Sequence, residues 1–404
     1  MRVLLTSWGS RGDVEPLAGL AVELRGLGVD ALVCVPPDEE FASLLGRVGV
    51  ESVPLGPTVR SVVAGAQPPT REDAFRLAPA LVAARFEVLG AVADGCDAVL
   101  ATGLLPAGAR DVAERFGLPY VLACFHTLGL PSRHFRPGAR PGTPSPEGET
   151  DVRVLWKQDA ERVNALYGPA LNEHRAALGL APVDDVRGHV FTDRPWLAAD
   201  QTLWPAAGKT DLDVVQTGAW LLPDDRPLPA DLEAFLAAGE PPVYVGFGSM
   251  AAHAPQGVAR VAIEAVRGLG RRLVLARGWA GLAPVDDGAD CFVVGEVNQQ
   301  ALFRRVAVVV HHGGAGTTTT AARAGTPQVV VAQIADQPQW AGRVAELGIG
   351  AAHEGRTPTV ASLTAALTTA LTPGSEARAR AVAGTIRTDG AAVAARRLVA
   401  SIGG

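Results

Sequence analysis

Short β-branched runs alternate with helical patterns along both halves of the chain. Buried parallel strands are predicted for five runs of the first half, namely VLLTSW (3–8), DALVCV (30–35), ESVPL (51–55), DAVLAT (97–102) and PYVLACF (119–125). The second half repeats the pattern in VYVGFGS (243–249), RRLVLARG (271–278), CFVVGEV (291–297), VAVVV (306–310) and QVVVAQI (328–334). Strands and helices that alternate in two halves predict an α/β protein of two doubly wound, Rossmann-like domains.

The first helical pattern is a leucine stripe. Leu17, Leu20, Leu24 and Leu27 share one face, which we expect to be buried, and Gly28 is expected to end the helix.

A Pro-, Gly- and Asp-rich stretch, residues 205–242, is typical of a linker and places the domain boundary near Gln216 to Leu222. We therefore expect an N-terminal domain over 1–216 and a C-terminal domain over 217–382.

Two further segments leave alternatives open. Residues 383–404 end in a helical pattern that could close the second domain or pack back on the first. Residues 131–152 form too long a Pro- and Gly-rich stretch for a tight turn, so they are expected to be either a functional lid or a disordered loop.

Composition excludes several classes of protein. With 48% hydrophobic and 19% charged residues the chain can bury real cores, and its net charge of −6 argues against nucleic-acid binding. No run approaches the roughly eighteen apolar residues of a membrane span, and the N-terminus lacks a signal-peptide pattern. The cysteines show no CxxC spacing, which favours neither disulfides nor zinc. We expect a cytoplasmic monomer.

The motif HHGGAGTTTT (311–320) joins a strand to a helix at the carboxyl end of the sheet, where α/β proteins bind ligands. Its glycines let a ligand approach the backbone, and the N–H groups of the helix that begins near Thr317 favour a phosphate or pyrophosphate. Adjacent side chains on a strand face opposite ways, so His312, nearer the glycines than His311, is the phosphate-binding candidate. A plain tight turn is the alternative. A zinc pair is disfavoured because adjacent histidines lack ligand spacing.

Three other loops follow strands, and for one residue in each a functional role and a purely structural role are both compatible with the sequence. Ser249 in GFGS would bind the same phosphates or serve as a turn residue. Asp336 in ADQP would cap the helix that carries Trp340, an alternative of equal weight to a ligand contact, whereas Gln337 has no evident structural role. Asp13 in GSRGD would cap the leucine-striped helix or act as a carboxylate base.

The chain resembles the vancomycin-group glycopeptide glycosyltransferases nearly end to end. The segments that carry the resemblance are MRVLLTSWGSRGDVEPLAGLA, GCDAVLATGLLPA, DRPWLAAD, VQTGAWLLPDDRPL, PPVYVGFGS, ARGWAGL, DDGADCFVVGEVNQQALF, HHGGAGTTTTAARAGTPQVVVAQIADQP and TIRTDGAAVAARRL. The resemblance implies the inverting GT-B fold, with two Rossmann-like domains facing across a cleft. It also implies transfer of a hexose from a UDP- or TDP-sugar to a heptapeptide aglycone of vancomycin or teicoplanin type.

The resemblance further implies a role for each matched residue. Asp13 would be the catalytic base, Ser10 in the same loop would be a donor-binding residue, and Asp336 with Gln337 would reach the sugar hydroxyls. The remaining donor-site residues would be Ser249, His312, Gly314, Gly316 and Thr317 at the diphosphate, and Trp279, Val297 and Asn298 at the base and ribose. The N-terminal domain, with residues 131–152, would hold the acceptor.

No metal or cofactor is expected. The only DxD motif, Asp211-Leu-Asp213, lies in the predicted linker and is expected to be solvated. The intact glycine turn and Asp-Gln pair favour a UDP-hexose, glucose or N-acetylglucosamine, over a deoxyaminosugar. The sequence is also compatible with a lipid or sterol glucosyltransferase, a sugar-nucleotide 2-epimerase, a silent nucleotide-sugar-binding protein, and a hybrid of two relatives.

Overall fold

The computed structural model describes residues 1–63, 70–138, 148–248, 257–279, 281–286 and 288–403. The chain divides into two compact units. Unit 1 comprises Met1–Asp200, Pro205–Leu222 and Thr388–Gly404, and unit 2 comprises Gln201–Trp204 and Pro223–Arg387. The C-terminal segment Thr388–Gly404 therefore belongs to unit 1, and the short segment Gln201–Trp204 belongs to unit 2.

Unit 1 is built on a parallel sheet with the order β3-β2-β1-β4-β5-β6-β7. Its strands are β1 Arg2–Trp8, β2 Asp30–Val35, β3 Glu51–Pro54, β4 Ala98–Gly103, β5 Tyr120–Cys124, β6 Trp196–Leu197 and β7 Val215–Gln216. Leu5 of β1 pairs in register with Val33 and Leu100, and all three side chains are buried. The β-branched and leucine-rich runs thus form the middle layer, covered on both faces.

The helices of unit 1 flank this sheet. They are α1 Arg11–Gly26, α2 Glu39–Arg47, α3 Val59–Val63, α4 Arg71–Val92, α5 Ala109–Phe116, α6 Val152–Ala177, α7 Val186–Phe191 and α15 Gly390–Ile402. The last helix packs on α1, and the backbone of Gly390 lies so close to Gly218 and Ala219 that a Cβ there would clash with them.

The leucine stripe of α1 needs one correction. Leu17, Leu20 and Leu24 are fully buried, but Leu27 is 47% exposed because the helix ends at Gly26 and Leu27 occupies the C-cap. Gly28 then adopts a positive φ of 76°, which turns the chain toward β2.

Unit 2 has a second parallel sheet, with the order β10-β9-β8-β11-β12-β13. Its strands are β8 Val243–Gly246, β9 Leu273–Ala276, β10 Cys291–Val294, β11 Val308–His311, β12 Gln328–Val330 and β13 Gly350–Ala352. Its helices are α8 Ala230–Ala237, α9 Val258–Gly268, α10 Gln299–Leu302, a 3₁₀ turn Phe303–Arg305, α11 Ala315–Ala324, α12 Gln337–Glu346, α13 Val360–Ala370 and α14 Pro373–Ala383. The doubly wound fold class expected for both halves is confirmed.

The predicted linker, residues 205–242, is more ordered than expected. It contains strand β7 and helix α8, whose Leu232 is buried in the core of unit 2. Of the irregular stretch 131–152, residues 139–147 lie outside the described part of the chain, and α6 begins at Val152.

Candidate functional site

The glycine turn leads from β11 into α11. Gly313 has a positive φ of 92°, and Gly314 occupies the N-cap of α11 with an extended backbone and no side chain to cap the helix. The first N–H groups of the helix are therefore left to a ligand rather than to a capping side chain. The hydroxyls of Thr318 and Thr319 bond back to the carbonyls of Gly314 and Ala315, so these threonines are structural. Gly316 is exposed and Thr317 half-buried at the start of the helix.

The two histidines have separate tasks. His311 is fully buried; its Nδ1 accepts a hydrogen bond from the Gly313 N–H (3.0 Å) and its Nε2 lies 2.8 Å from Gln328 Oε1. Burial lowers the pKa of His311 to about 3, so the ring is neutral and holds the turn in shape. The ring of His312 stands at 83° to it and points elsewhere.

His312 lies over the start of α11. A Cβ at Gly314 would be 2.7 Å from its Nε2, and a Cβ at Gly248 would be 3.3 Å from its Cε1. Among the described residues its buried Nδ1 has no hydrogen-bond partner. Burial lowers the pKa of His312 to about 4, an effect that the charge of Asp336 opposes. At neutral pH the imidazole of His312 is therefore uncharged in this structure, and it lies beside the N-terminus of α11.

Trp279 is tied to the same region by its backbone. Its N–H donates to the carbonyl of Gly248 (2.9 Å), the glycine that also faces the ring of His312. Ser249, predicted to bind the phosphates, lies outside the described residues.

The Asp-Gln pair adjoins the glycine turn, because a Cβ at Gly313 would lie 3.3 Å from the Cβ of Gln337. Gln337 proves to have a structural role that the sequence did not suggest: its buried Oε1 accepts hydrogen bonds from the N–H groups of Gln333 (2.8 Å) and Ile334 (3.1 Å). Asp336 occupies the N-cap of α12, but its side chain makes no capping bond. Instead, Asp336 Oδ2 accepts a 2.6 Å hydrogen bond from the Trp340 indole N–H. Asp336 therefore occupies the N-cap position predicted for it, but its carboxylate does not make the capping hydrogen bond.

Val297 and Asn298 precede α10. Asn298 is buried and caps that helix, accepting from the N–H of Ala301 (3.0 Å), while its Nδ2 donates to the carbonyls of Asp224 (2.7 Å) and Arg226 (2.8 Å). The side chain of Asn298 is thus engaged within the protein, and Val297 packs against the hydrophobic core of unit 2. A contact of either residue with base or ribose would involve the backbone or the exposed part of Val297.

Unit 1 carries the candidate base. Ser10 is the N-cap of α1 and Asp13 lies in the first turn, so of the two alternatives for Asp13 the N-cap position is excluded. The Ser10 hydroxyl is 3.5 Å from Asp13 Oδ2. A Cβ at Gly9 would come within 2.2 Å of that same oxygen, so the carboxylate lies directly against the end of β1. This is the carboxyl edge of the sheet, where α/β proteins bind ligands.

The described residues offer poor metal sites. Asp211 and Asp213 are both exposed, as expected, and form ion pairs with Arg133 and Arg194. One His/Asp/Glu cluster has ligand-like spacing, Asp111 with Glu114 and His189. The guanidinium of Arg175 already lies within it, 2.5 Å from Asp111 Oδ1. Burial raises the pKa of that carboxyl, but hydrogen bonds from His189 and Arg175 together outweigh it and hold the pKa below its usual value.

Comparison with known proteins agrees with this architecture. Residues 288–401 match the family model "Erythromycin biosynthesis protein CIII-like, C-terminal domain". Glycosyltransferase GtfE of Amycolatopsis orientalis is 56% identical, with 100% of this chain and 98% of that protein covered. The vancomycin aglycone glucosyltransferase of the same organism is 54% identical, with the same coverage. The crystal structure of the glycotransferase of kitacinnamycin superposes with a TM-score of 0.71 at 21% identity, over 99% of this chain and 98% of that one.

The solved structure supports the fold alone, and the GT-B fold expected from the resemblance is confirmed. No helix in the described part of the chain is long and apolar enough to cross a membrane. The full-length identities identify the activity as that of a glycosyltransferase. The chain belongs to the vancomycin-group glycopeptide glycosyltransferases.

Proposed function

We propose that the chain transfers a hexose, with inversion, from a UDP- or TDP-sugar to a hydroxyl of a vancomycin- or teicoplanin-type heptapeptide aglycone. One observation carries the donor half of the proposal: His312, the uncapped start of α11 and the Asp336–Gln337 loop adjoin one another at the carboxyl edge of one sheet. The 54% identity to a vancomycin aglycone glucosyltransferase supports the acceptor class and the hexose.

The leaving diphosphate would be stabilised by the start of α11 and by His312. The N–H groups at the start of α11 and the helix dipole favour negative charge, and the imidazole of His312 adds one hydrogen-bond donor. These groups are already in place before the reaction, so little reorganisation is needed as charge develops on the diphosphate. On this proposal the reaction uses no metal or cofactor.

Asp13 would remove the proton from the acceptor hydroxyl. A phenol has a pKa near roughly 10, so a carboxylate suffices if the proton moves late in the displacement. Attack opposite the departing diphosphate inverts the anomeric carbon, and an α-linked donor gives a β-glycoside. Ser10, 3.5 Å from Asp13 Oδ2, would help to hold the carboxylate.

The deciding experiment is a screen of donors against acceptors. Purified protein would be incubated with UDP-glucose, UDP-N-acetylglucosamine or a TDP-deoxysugar, each with a vancomycin-type and a teicoplanin-type aglycone. The masses of the products would be measured by mass spectrometry. We expect one hexose to be added to an aglycone from a UDP-hexose. If products formed only from TDP-deoxysugars, the donor would be a deoxysugar nucleotide and not the UDP-hexose expected here. Failure with every aglycone, while UDP binds, would correct the acceptor class.

A further inference from the structure

The indole N–H of Trp340 donates a hydrogen bond to the Asp336 carboxylate. The side chain of Asp336 turns away from the N–H groups of α12 that an N-cap aspartate normally binds and accepts from the Trp340 indole instead, at 2.6 Å. Trp340 is 1% exposed, so water does not compete for that N–H. One carboxylate oxygen, Oδ2, is thereby committed to the protein.

The Trp340 ring is itself held from the other side. The ring of Trp204 packs on it with centroids 4.7 Å apart, and Trp204 is also 1% exposed. One turn further along α12, Arg343 donates two hydrogen bonds to the carbonyl of Thr202, at 2.8 and 2.7 Å. The segment Gln201–Trp204 thus packs against the same face of α12 that carries Trp340.

Core packing explains the two rings but not the direction of the indole N–H. A purely apolar function would be met by phenylalanine or leucine, neither of which has a donor to direct at Asp336. Ala335, immediately before Asp336, has a φ of 53°, a conformation that non-glycine residues rarely adopt. The backbone before the carboxylate and the indole after it therefore both constrain where Asp336 points.

We propose that Trp340 is a positioning residue for the sugar. By occupying Oδ2 it leaves Oδ1 of Asp336 to the hydroxyls of the bound hexose, beside the glycine turn that Gln337 contacts. This inference rests on the proposed function, since it assumes a nucleoside diphosphate hexose as donor.

The test compares Trp340→Phe, Asp336→Asn and the double variant. Affinities for UDP-glucose and for UDP alone are measured by calorimetry, so that their ratio reports the contribution of the sugar. We expect Trp340→Phe to lower this ratio about tenfold, as loss of a hydrogen bond to a charged group does, with the UDP affinity unchanged. The double variant should be no worse than Asp336→Asn, because Trp340 acts through Asp336.

Trp220→Phe is the matched control. It removes a buried indole N–H from a hydrogen bond to Thr217 (2.9 Å) in unit 1, and we expect it to leave both affinities unchanged. Independent losses that multiply in the double variant, or a parallel fall in UDP affinity in Trp340→Phe, would overturn the proposal.

The indole N–H resonances give a readout that does not need a donor. The signal that disappears in Trp340→Phe should shift in Asp336→Asn, and an unmoved signal would also overturn the proposal. If the wild-type chain bound neither UDP- nor TDP-sugars, the proposed function would fail, and this resonance would still decide whether Trp340 holds Asp336.

Discussion

Replacing Gly314 by alanine tests the diphosphate site without disturbing the backbone. Gly314 has φ −64° and ψ 142°, values that alanine adopts freely. The added Cβ would lie 2.7 Å from Nε2 of His312, so the imidazole must move by roughly 0.7 Å to restore ordinary van der Waals contact. The His312 Nδ1 is not anchored to any described residue, so we expect the ring to yield rather than the helix.

The expected effect on binding is much larger than the effect on folding. A displaced imidazole loses its hydrogen bond to the diphosphate, which is worth about 1.5–3 kcal/mol, or roughly a 10- to 150-fold rise in Kd for UDP. Stability should fall by only about 1 kcal/mol, because alanine is a poorer N-cap than glycine. Calorimetry with UDP gives the first quantity and urea denaturation the second.

Gly374→Ala is the matched control. Gly374 also lies at the start of a helix of unit 2, α14, and a Cβ there would meet nothing within 4 Å. We expect it to leave UDP binding unchanged. If Gly314→Ala also bound UDP with wild-type affinity, His312 would not contact the diphosphate and the donor site would lie elsewhere.

Three further predictions follow from the site. Asp13→Ala should lower turnover a hundredfold or more with donor affinity unchanged in calorimetry, as loss of a general base does; undiminished turnover would contradict its role. The free energy of unfolding should fall as pH drops from about 6.5 toward 4, because the unfolded chain takes up protons at His311 and His312 while the folded chain, with pKa values of about 3 and 4, does not. Urea denaturation at several pH values should show that this free energy depends less on pH in His312→Gln. Gly316→Ala should stabilise α11 by about 0.5–1 kcal/mol in urea denaturation yet weaken UDP binding; unchanged UDP affinity would argue against a ligand at that position.

Long periodic segments were predictable from the sequence, and short ones were not. The buried runs of β1 and β11 have enough consecutive apolar residues to identify them, whereas β6 and β7 have two residues each and no periodicity to detect. Helix α8 lies in a Pro- and Gly-rich stretch whose composition concealed it. The divergence of His311 and His312 follows from strand alternation and needed no tertiary information.

Hydrogen bonds between residues distant in the chain cannot be predicted from local sequence patterns. The Asn298 side chain donates to the carbonyls of Asp224 and Arg226, more than seventy residues away, and no pattern in GEVNQQ indicates these bonds. Trp340 is a partial exception, because it lies four residues after Asp336, the spacing at which helical side chains meet. That spacing was the only available signal for the residue that holds Asp336.

The glycines around the turn differ in what requires them. At Gly248 and Gly314 the space for a Cβ is taken by the ring of His312, and at Gly313 by neighbouring side chains of unit 2. At Gly316, by contrast, a Cβ would meet no described atom within 4 Å, and the residue is exposed on the first turn of α11. Two of these glycines, Gly248 and Gly314, therefore make room for His312, and Gly313 makes room for Val330 and Gln337. The free space at Gly316, beside helix N–H groups that no described side chain caps, is where we expect the diphosphate to approach the backbone.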